Sequence, residues 1–260
     1  MPTDDQPQHE DQQQTRPGTR NRTLSIRTPD GTADAFAVFP DGGGPHPGVL
    51  MYPDGFGIRP VLCELAGELA AHGYCVLVPN VFYRDRPTPV MDLPDYIDAA
   101  ERPRVMAQLM PLIEAHTAGR TLADAAVYLR VLADLPEAAP GPVAVTGYCF
   151  GGLLAVRTAA AHPDRVAAVA AFHAPVAAAG PDTLARLTGH AHFGHAASDL
   201  TPADLTALNA TLAEVTALTC TSEIYPDTAH GFTMRDTDAY DAAGLARHWD
   251  RLLPLLARAL

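Results

Sequence analysis

Short apolar runs alternate with longer amphipathic segments along most of this 260-residue chain. Short runs rich in β-branched residues are typical of buried strands, and apolar positions spaced three to four residues apart predict helices. The predicted strands lie at 48–52, 74–79, 143–146, 166–172, 191–194 and 222–225. The predicted helices lie at 61–71, 101–115, 121–135, 153–161, 201–218 and 236–260. This alternation indicates an α/β fold with a single doubly wound, mostly parallel sheet flanked by helices.

The beginning of the chain departs from this alternation. Residues 1–22 are polar and rich in Gln, Asp and Pro, which predicts a disordered N-terminal tail. Residues 23–29 and 33–39 alternate in polarity around a Pro-Asp-Gly turn and predict an edge β-hairpin. Residues 83–100, rich in proline and charge, predict a long loop that we expect to reach the functional site. Residues 23–260 are therefore expected to form one domain.

Charge and residue usage exclude several classes of function. The formal net charge of −12 disfavours binding to nucleic acid or to an anionic membrane. All 18 basic residues are arginines, which excludes a Schiff-base or phosphate-loop lysine. The N-terminus lacks a secretory signal pattern, no apolar run is long enough to span a bilayer, and the four cysteines form no Cys-x-x-Cys pair. We expect a cytoplasmic monomer or homodimer that acts on a small molecule.

One motif joins a predicted strand to a predicted helix through a glycine-rich turn. The residues are Gly147-Tyr148-Cys149-Phe150-Gly151-Gly152. Strand, tight turn and helix are the context of a nucleophile elbow, in which glycines allow a strained central residue. The helix N-terminus favours a thiolate at Cys149, and the Phe150 N–H is placed to stabilise an oxyanion.

A cysteine nucleophile requires a base, and the base requires an orienting acid. His230 lies just after the predicted strand ending at Tyr225, and Asp199 lies just beyond the one ending near Gly194. Nucleophile, acid and His then follow one another in the order typical of α/β hydrolases. Asp227 is an alternative acid, although its position is also typical of a turn residue.

Five segments in this order resemble the dienelactone hydrolase family of α/β hydrolases. They are Asp54-Gly55-Phe56-Gly57, Pro79-Asn80-Val81-Phe82-Tyr83-Arg84, the glycine-rich turn around Cys149, His192-Phe193-Gly194 with Asp199, and Ala229-His230-Gly231-Phe232. The resemblance covers the chain from about residue 23 to its end. It implies the α/β-hydrolase fold and hydrolysis of an ester or lactone through an acyl-enzyme, without a cofactor.

The resemblance also implies roles for individual residues. Cys149 would be the nucleophile, His230 the base and Asp199 the orienting acid, with the oxyanion between the N–H groups of Phe150 and Gly55. An auxiliary carboxylate, usually glutamate in the family, contacts the resting cysteine and is displaced by substrate. Asp54 occupies that position here.

The family holds a substrate carboxylate with arginines. Arg104 corresponds to one of them, whereas the second position is Met234, with Arg235 one residue away. Phe56 and Tyr83 complete the predicted substrate-binding residues, and Arg84 is a further candidate beside Tyr83.

Three other functions compete with ester hydrolysis. Class I glutamine amidotransferases also place Cys on a glycine elbow, but His230 lacks the Glu that usually follows their His by two residues. A non-catalytic thiol protein would use Cys149 for binding or redox sensing. A biosynthetic enzyme would divert the acyl-enzyme to lactonisation, cyclisation or isomerisation.

Three histidines, His190, His192 and His195, lie close together near the end of a predicted strand. No Cys, Asp or Glu on that strand completes a ligand set, so we expect no metal site. The other cysteines, Cys63, Cys75 and Cys220, are expected in the core.

Overall fold

An eight-stranded sheet organises the residues described by this computed structural model, 16–260. The strands are β1 Thr19–Thr28, β2 Gly31–Pro40, β3 Gly48–Tyr52, β4 Cys75–Pro79, β5 Val143–Tyr148, β6 Val166–Phe172, β7 Gly189–Ala196 and β8 Leu218–Tyr225. Their order across the sheet is β1-β2-β4-β3-β5-β6-β7-β8. The pairs β1–β2 and β2–β4 are antiparallel and the other five are parallel. The predicted mostly parallel α/β sheet is confirmed.

Helices cover both faces of the sheet. They are α1 Pro60–Ala71, α2 Arg102–Ala115, α3 Ala118–Ala133, α4 Phe150–Ala161, α5 Pro181–Leu184, α6 Pro202–Ala213 and α7 Ala242–Ala259, with a 3₁₀ helix at Val176–Ala179. Side chains of α1 and α7 form the core on one face, and those of α2, α3, α4 and α6 form the core on the other. Strands that are apolar on both faces are buried between these layers, as parallel sheets require.

The hairpin prediction is confirmed, but the predicted tail is too long. β1 and β2 pair from Thr19↔Pro40 to Thr28↔Gly31, so residues 19–22 belong to the sheet. Cross-strand hydrogen bonds order these polar residues, which composition alone assigns to the tail. Residues 1–15 of the predicted tail lie outside the described residues.

The helix boundaries that differ most from the sequence prediction are the end of α6 and the beginning of α7. α6 ends at Ala213, and β8 begins at Leu218 instead of residue 222 because its polar residues face solvent at the sheet edge. α7 begins at Ala242, where Asp241 Oδ1 accepts from the Gly244 N–H over 2.6 Å. The segment that precedes α7 is a loop at the edge of the sheet where the parallel strands end.

The loop predicted at 83–100 reaches that same edge. Ile97 N–H donates to the Asp236 carbonyl over 2.8 Å, and the Asp238 N–H donates to the Ile97 carbonyl over 3.1 Å. These bonds attach the loop to the segment that follows His230. Within residues 16–260, no helix is long and apolar enough to cross a bilayer.

Candidate active site

Cys149 lies at a sharp turn between β5 and α4. Its φ of 52° and ψ of −122° form a strained backbone conformation that residues other than glycine rarely adopt. A Cβ on Gly147 would lie 2.2 Å from the Gly151 carbonyl oxygen, and one on Gly151 would lie 2.0 Å from the Pro53 carbonyl oxygen. Glycine is therefore required at both positions. The Cys149 N–H donates to the Phe172 carbonyl over 3.0 Å, which ties the turn to β6.

The two residues predicted to form the oxyanion hole, Phe150 and Gly55, both line cavities at Cys149. Phe150 is the first residue of α4, so its N–H has no acceptor within the helix. Gly55 lies in the loop after β3 and lines a cavity that also includes Cys149. Phe150 lines a second cavity that includes Cys149. Each of the two predicted oxyanion-hole residues thus lines a cavity that Cys149 also lines.

His230 and Asp199 meet at the same edge of the sheet. His230 Nδ1 and Asp199 Oδ2 are 2.7 Å apart. Ser198, which the sequence reasoning missed, donates its hydroxyl to Asp199 Oδ1 over 3.1 Å and accepts the His230 N–H over 2.9 Å. The alternative acid Asp227 has a φ of 58° and lies in an exposed turn. The structure pairs His230 with Asp199.

The surroundings of His230 change its protonation. Burial lowers the pKa of the His230 imidazole, but the hydrogen bond with Asp199, the interaction with the Cys149 side chain and the charge of the Asp199 carboxylate outweigh burial and raise the pKa of His230 to about 10. At neutral pH His230 is therefore an imidazolium that is hydrogen-bonded to Asp199 and lines the same cavities as Cys149.

Asp54, the predicted auxiliary carboxylate, is held by a buried arginine. Its Oδ1 and Oδ2 accept from Arg59 Nη1 and Nη2 over 2.6 and 3.0 Å. Arg59 also donates from Nε to Asp236 Oδ2 over 2.5 Å, and Asp54 Oδ1 accepts the Phe56 N–H over 3.0 Å. Arg59, which the sequence reasoning missed, therefore connects the loop of Gly55 to the loop that follows His230.

Arg104, predicted to bind substrate, does not line either cavity at Cys149. It pairs with Glu101 at 2.7 Å, and half of its side chain is exposed. Arg102 lines the cavity beside Cys149 instead and pairs with Asp238. Side chains two positions apart on an α-helix point in directions that differ by about 200°. Arg104 therefore faces solvent when Arg102 faces the cavity.

Arg235 also lies outside the site. Its guanidinium is 3.8 Å from Glu64 and 5.9 Å from the ring centre of Tyr240, and more than half of the side chain is exposed. The buried Met234 takes the place beside Cys149. The tight turns after His230 point adjacent side chains in different directions.

Tyr83 supports the fold instead of the site. Its hydroxyl donates to Asp124 Oδ1 over 2.9 Å and accepts from Thr28 over 2.8 Å. Arg84 pairs with Asp124 and Asp30 at 2.7 Å each. This network attaches the β1–β2 hairpin to α3, which accounts for the Tyr-Arg pair without substrate contact.

Two compartments meet at the thiol. The larger, of about 460 Å³, is lined by apolar residues of α2, the 3₁₀ helix, the loop after β7 and α6. The smaller, of about 90 Å³, contains Phe56, Arg102, Met106, Leu109 and Met234. Both compartments include Cys149 and His230. The predicted contact of Phe56 with the cavity is present.

Two of the three histidines of β7, His192 and His195, form side-chain hydrogen bonds, whereas the buried Nδ1 of His190 has no hydrogen-bond partner in the part of the chain that the structure describes. His192 lies 2.7 Å from Thr221 Oγ1 and 3.0 Å from the Tyr225 hydroxyl, and His195 lies 3.1 Å from Ser222 Oγ. Burial lowers the pKa of both His192 and His195 to about 4. Throughout residues 16–260, no group of three or more His, Cys, Asp or Glu side chains is placed to hold a metal ion.

The other cysteines differ from Cys149 in their surroundings. Cys63 and Cys75 are buried and Cys220 is partly buried. Burial raises the pKa of each of these thiols to about 12. They remain neutral thiols at physiological pH.

A sheet of this topology with a nucleophile elbow, followed along the chain by an Asp–His pair, defines the α/β hydrolases. Residues 33–260 match the dienelactone hydrolase family. The chain belongs to that family and is a hydrolase of the ester and lactone type. This membership decides against a glutamine amidotransferase and a non-catalytic thiol protein.

Individual relatives agree with this assignment. The chain is 25% identical over 229 residues to a putative carboxymethylenebutenolidase of Synechocystis sp., covering 84% of this chain and 88% of that protein. A putative dienelactone hydrolase from Klebsiella pneumoniae has the same fold, with a TM-score of 0.78, 19% identity and coverage of 92% and 99%. A dienelactone hydrolase-like promiscuous phosphotriesterase from metagenomic libraries follows with a TM-score of 0.71, 19% identity and coverage of 93% and 99%.

Proposed function

We propose that this protein hydrolyses a carboxylic ester or lactone through a thioester on Cys149. The observation that carries the proposal is the imidazole of His230, which is hydrogen-bonded to Asp199 at 2.7 Å and lines the same two cavities as the Cys149 thiol. A nucleophile, a base and an orienting acid in contact are the arrangement that acyl transfer requires.

Acylation begins with the thiolate of Cys149. Its electron pair attacks the carbonyl carbon, and the carbonyl oxygen becomes an oxyanion that accepts the N–H groups of Phe150 and Gly55. Collapse of this intermediate breaks the ester C–O bond, and the departing alkoxide takes the proton of the His230 imidazolium. A thioester and a free alcohol result; from a lactone, both remain on one molecule.

Deacylation uses His230 in the opposite sense. The thioester sulfur carries no charge, so the contribution of Cys149 to the raised pKa of His230 is lost. His230 then accepts a proton from water, whose oxygen attacks the thioester carbon, and the thiolate departs as the acid forms. Lactone formation would use a substrate hydroxyl in place of this water. Because the chain belongs to a family of hydrolases, we favour hydrolysis over lactone formation.

The acyl-enzyme gives the direct test of this proposal. A slow ester mixed with the protein and quenched in acid should add the mass of one acyl group to Cys149, because acid removes the neutral His230 that deacylation needs. Intact mass spectrometry with peptide mapping measures the adduct. Cys149→Ala should give no adduct. Full ester turnover accompanied by acylation at a different residue would contradict the proposal.

Asp54 acts in this proposal as a positioning residue, since Arg59 occupies both of its oxygens. The buried Asp54–Arg59–Asp236 ion cluster holds the loop of Gly55 against the loop that follows His230. Side chains that fix two loops by charge-assisted hydrogen bonds keep reacting groups aligned.

Asp236→Asn tests this alignment with a nearly isosteric change. It removes one charge from the cluster and leaves the Arg59–Asp54 pair in place. We expect kcat to fall by about 10- to 100-fold with KM nearly unchanged, since a displacement of about 1 Å can have such an effect. Steady-state kinetics and thermal melting measure both quantities.

Glu137→Gln is the matched control for Asp236→Asn. It removes the charge of Glu137 from the Arg22–Glu137 ion pair. The Glu137 side chain is 20% exposed and the Asp236 side chain is 22% exposed, so the two substitutions affect ion pairs of similar burial. The control should keep wild-type kcat. Equal losses of kcat and melting temperature in the two variants would show that the cluster supports only the fold.

A further inference from the structure

The two compartments at Cys149 differ strongly in size. The larger measures about 460 Å³ and the smaller about 90 Å³. Because both contain Cys149 and His230, a bound ester has its reacting carbonyl where they meet and extends one substituent into each. The size difference therefore distinguishes the two sides of the substrate.

The larger compartment has an apolar lining. Ile113, Val176, Ala177, Leu200 and Leu208 contribute to it. Its polar members are already engaged: Asp199 bonds with His230, and the buried His195 bonds with Ser222. Burial lowers the pKa of His195 to about 4, so His195 is neutral at physiological pH. This surface favours an uncharged apolar group.

The positive groups of the smaller compartment already have acidic partners: His230 is paired with Asp199, and Arg102 is paired with Asp238. Among the described residues, Arg102 is the one arginine that lines either compartment, and Asp238 pairs with it. Asp54 reaches the same compartment but is neutralised by Arg59. A substrate carboxylate there would compete with Asp238 for the Arg102 guanidinium.

From these observations we infer that the substrate is an uncharged ester or lactone with one bulky apolar substituent, seated in the larger compartment, and one small substituent, seated in the smaller. The inference rests on the proposed acyl-enzyme hydrolysis. It departs from recognition of a substrate carboxylate, which the family resemblance led us to expect.

Four uncharged esters test the size rule: methyl acetate, methyl hexanoate, hexyl acetate and hexyl hexanoate. We expect either methyl hexanoate or hexyl acetate to exceed methyl acetate in kcat/KM by at least about 10-fold, because each buried methylene contributes to specificity. Hexyl hexanoate, which is bulky on both sides, should fall at least about 10-fold below the better of the two. Equal values for hexyl hexanoate and the better ester would overturn the size rule.

The charge rule is tested by adding a terminal carboxylate to the better ester. Monomethyl adipate is the counterpart of methyl hexanoate, and 6-acetoxyhexanoate is that of hexyl acetate. Each should show at least about 10-fold lower kcat/KM than its uncharged partner, because the carboxylate loses its hydration without gaining a free cation. A preference for the charged ester would overturn the charge rule.

Variants in each compartment separate the two subsites. Ala177 is exposed and lines the larger compartment, so Ala177→Trp narrows that compartment. The quantity measured is kcat/KM for the better of methyl hexanoate and hexyl acetate, divided by kcat/KM for methyl acetate. This ratio should fall by at least about 10-fold. Ala185→Trp, also exposed and outside both compartments, should keep the wild-type ratio.

Met106→Ala enlarges the smaller compartment and should raise kcat/KM for hexyl hexanoate. An unchanged ratio in Ala177→Trp, or an unchanged kcat/KM for hexyl hexanoate in Met106→Ala, would contradict the subsite that the variant tests.

Failure of this inference differs from failure of the proposed function. If an activated ester leaves no acyl group on Cys149, the acyl-enzyme mechanism is wrong. If Cys149 is acylated while the six esters react at similar rates, the mechanism stands and the substrate inference is wrong.

Discussion

Cys149→Ala is expected to lower kcat/KM for a small activated ester by at least about 10⁴-fold, because loss of the nucleophile in a catalytic triad has effects of this size. The substitution removes the sulfur and leaves the elbow backbone intact. Alanine is also smaller than cysteine, so the strained turn gains no new contact. Steady-state hydrolysis of p-nitrophenyl acetate measures the loss.

Cys220→Ala is the matched control for this experiment. Cys220 is a partly buried thiol on β8 that lines a separate groove with Asn209 and Leu218. Its variant should retain wild-type turnover. Near-wild-type turnover by purified Cys149→Ala would falsify the thioester mechanism, whereas equal losses in both variants would indicate damage to the fold.

His230→Ala is expected to reduce kcat/KM by about 10³-fold or more, since His230 is both the proton donor in acylation and the base in deacylation. The Asp199 carboxylate then loses its partner across the 2.7 Å hydrogen bond. Because 44% of the His230 side chain is exposed, added imidazole should enter the cavity and restore part of the rate. Stopped-flow acylation and steady-state assays with and without imidazole measure both effects.

The raised pKa of His230 gives the pH dependence of the wild-type reaction. The imidazolium is present below its pKa of about 10 and is lost as the pH rises through that value. Acylation, which needs this proton, should therefore decline above about pH 10. The control variant is His72→Ala, which changes an exposed histidine directly after α1. It should leave the rate and its pH profile unchanged. A His230→Ala variant with full activity and the same profile would remove His230 from the mechanism.

The fold could be predicted from the sequence because its signals are local. The five-residue apolar strands and the helices between them are short-range patterns, and the predicted sheet agrees with the structure in type and in most of its elements. The errors lie where tertiary contacts override composition. Residues 19–22 are polar but join β1, and Asp236 has a helix-compatible sequence but is held in a loop by Arg59.

The tight turn around Cys149 could also be predicted from the order of residues in the sequence. Gly147 and Gly151 surround Cys149, and their meaning depends only on the turn that they permit. The order of Cys149, Asp199 and His230 indicated the acid and base, and the structure places the last two 2.7 Å apart. Their catalytic roles are predictions that the experiments above test.

Substrate contacts could not be read from the chain in this way. Whether Arg102 or Arg104 faces the cavity depends on the rotation of α2 against the sheet, which no local pattern sets. Arg59 pairs with Asp54 and also with Asp236, which lies 177 positions further along the chain. The compartments are likewise bounded by separate loops and helices. Residue order and turn chemistry along the chain thus determined the fold class and the candidate nucleophile. Only tertiary packing decided which charges are neutralised and how much space lies on each side of the thiol, because both depend on side chains that meet after folding.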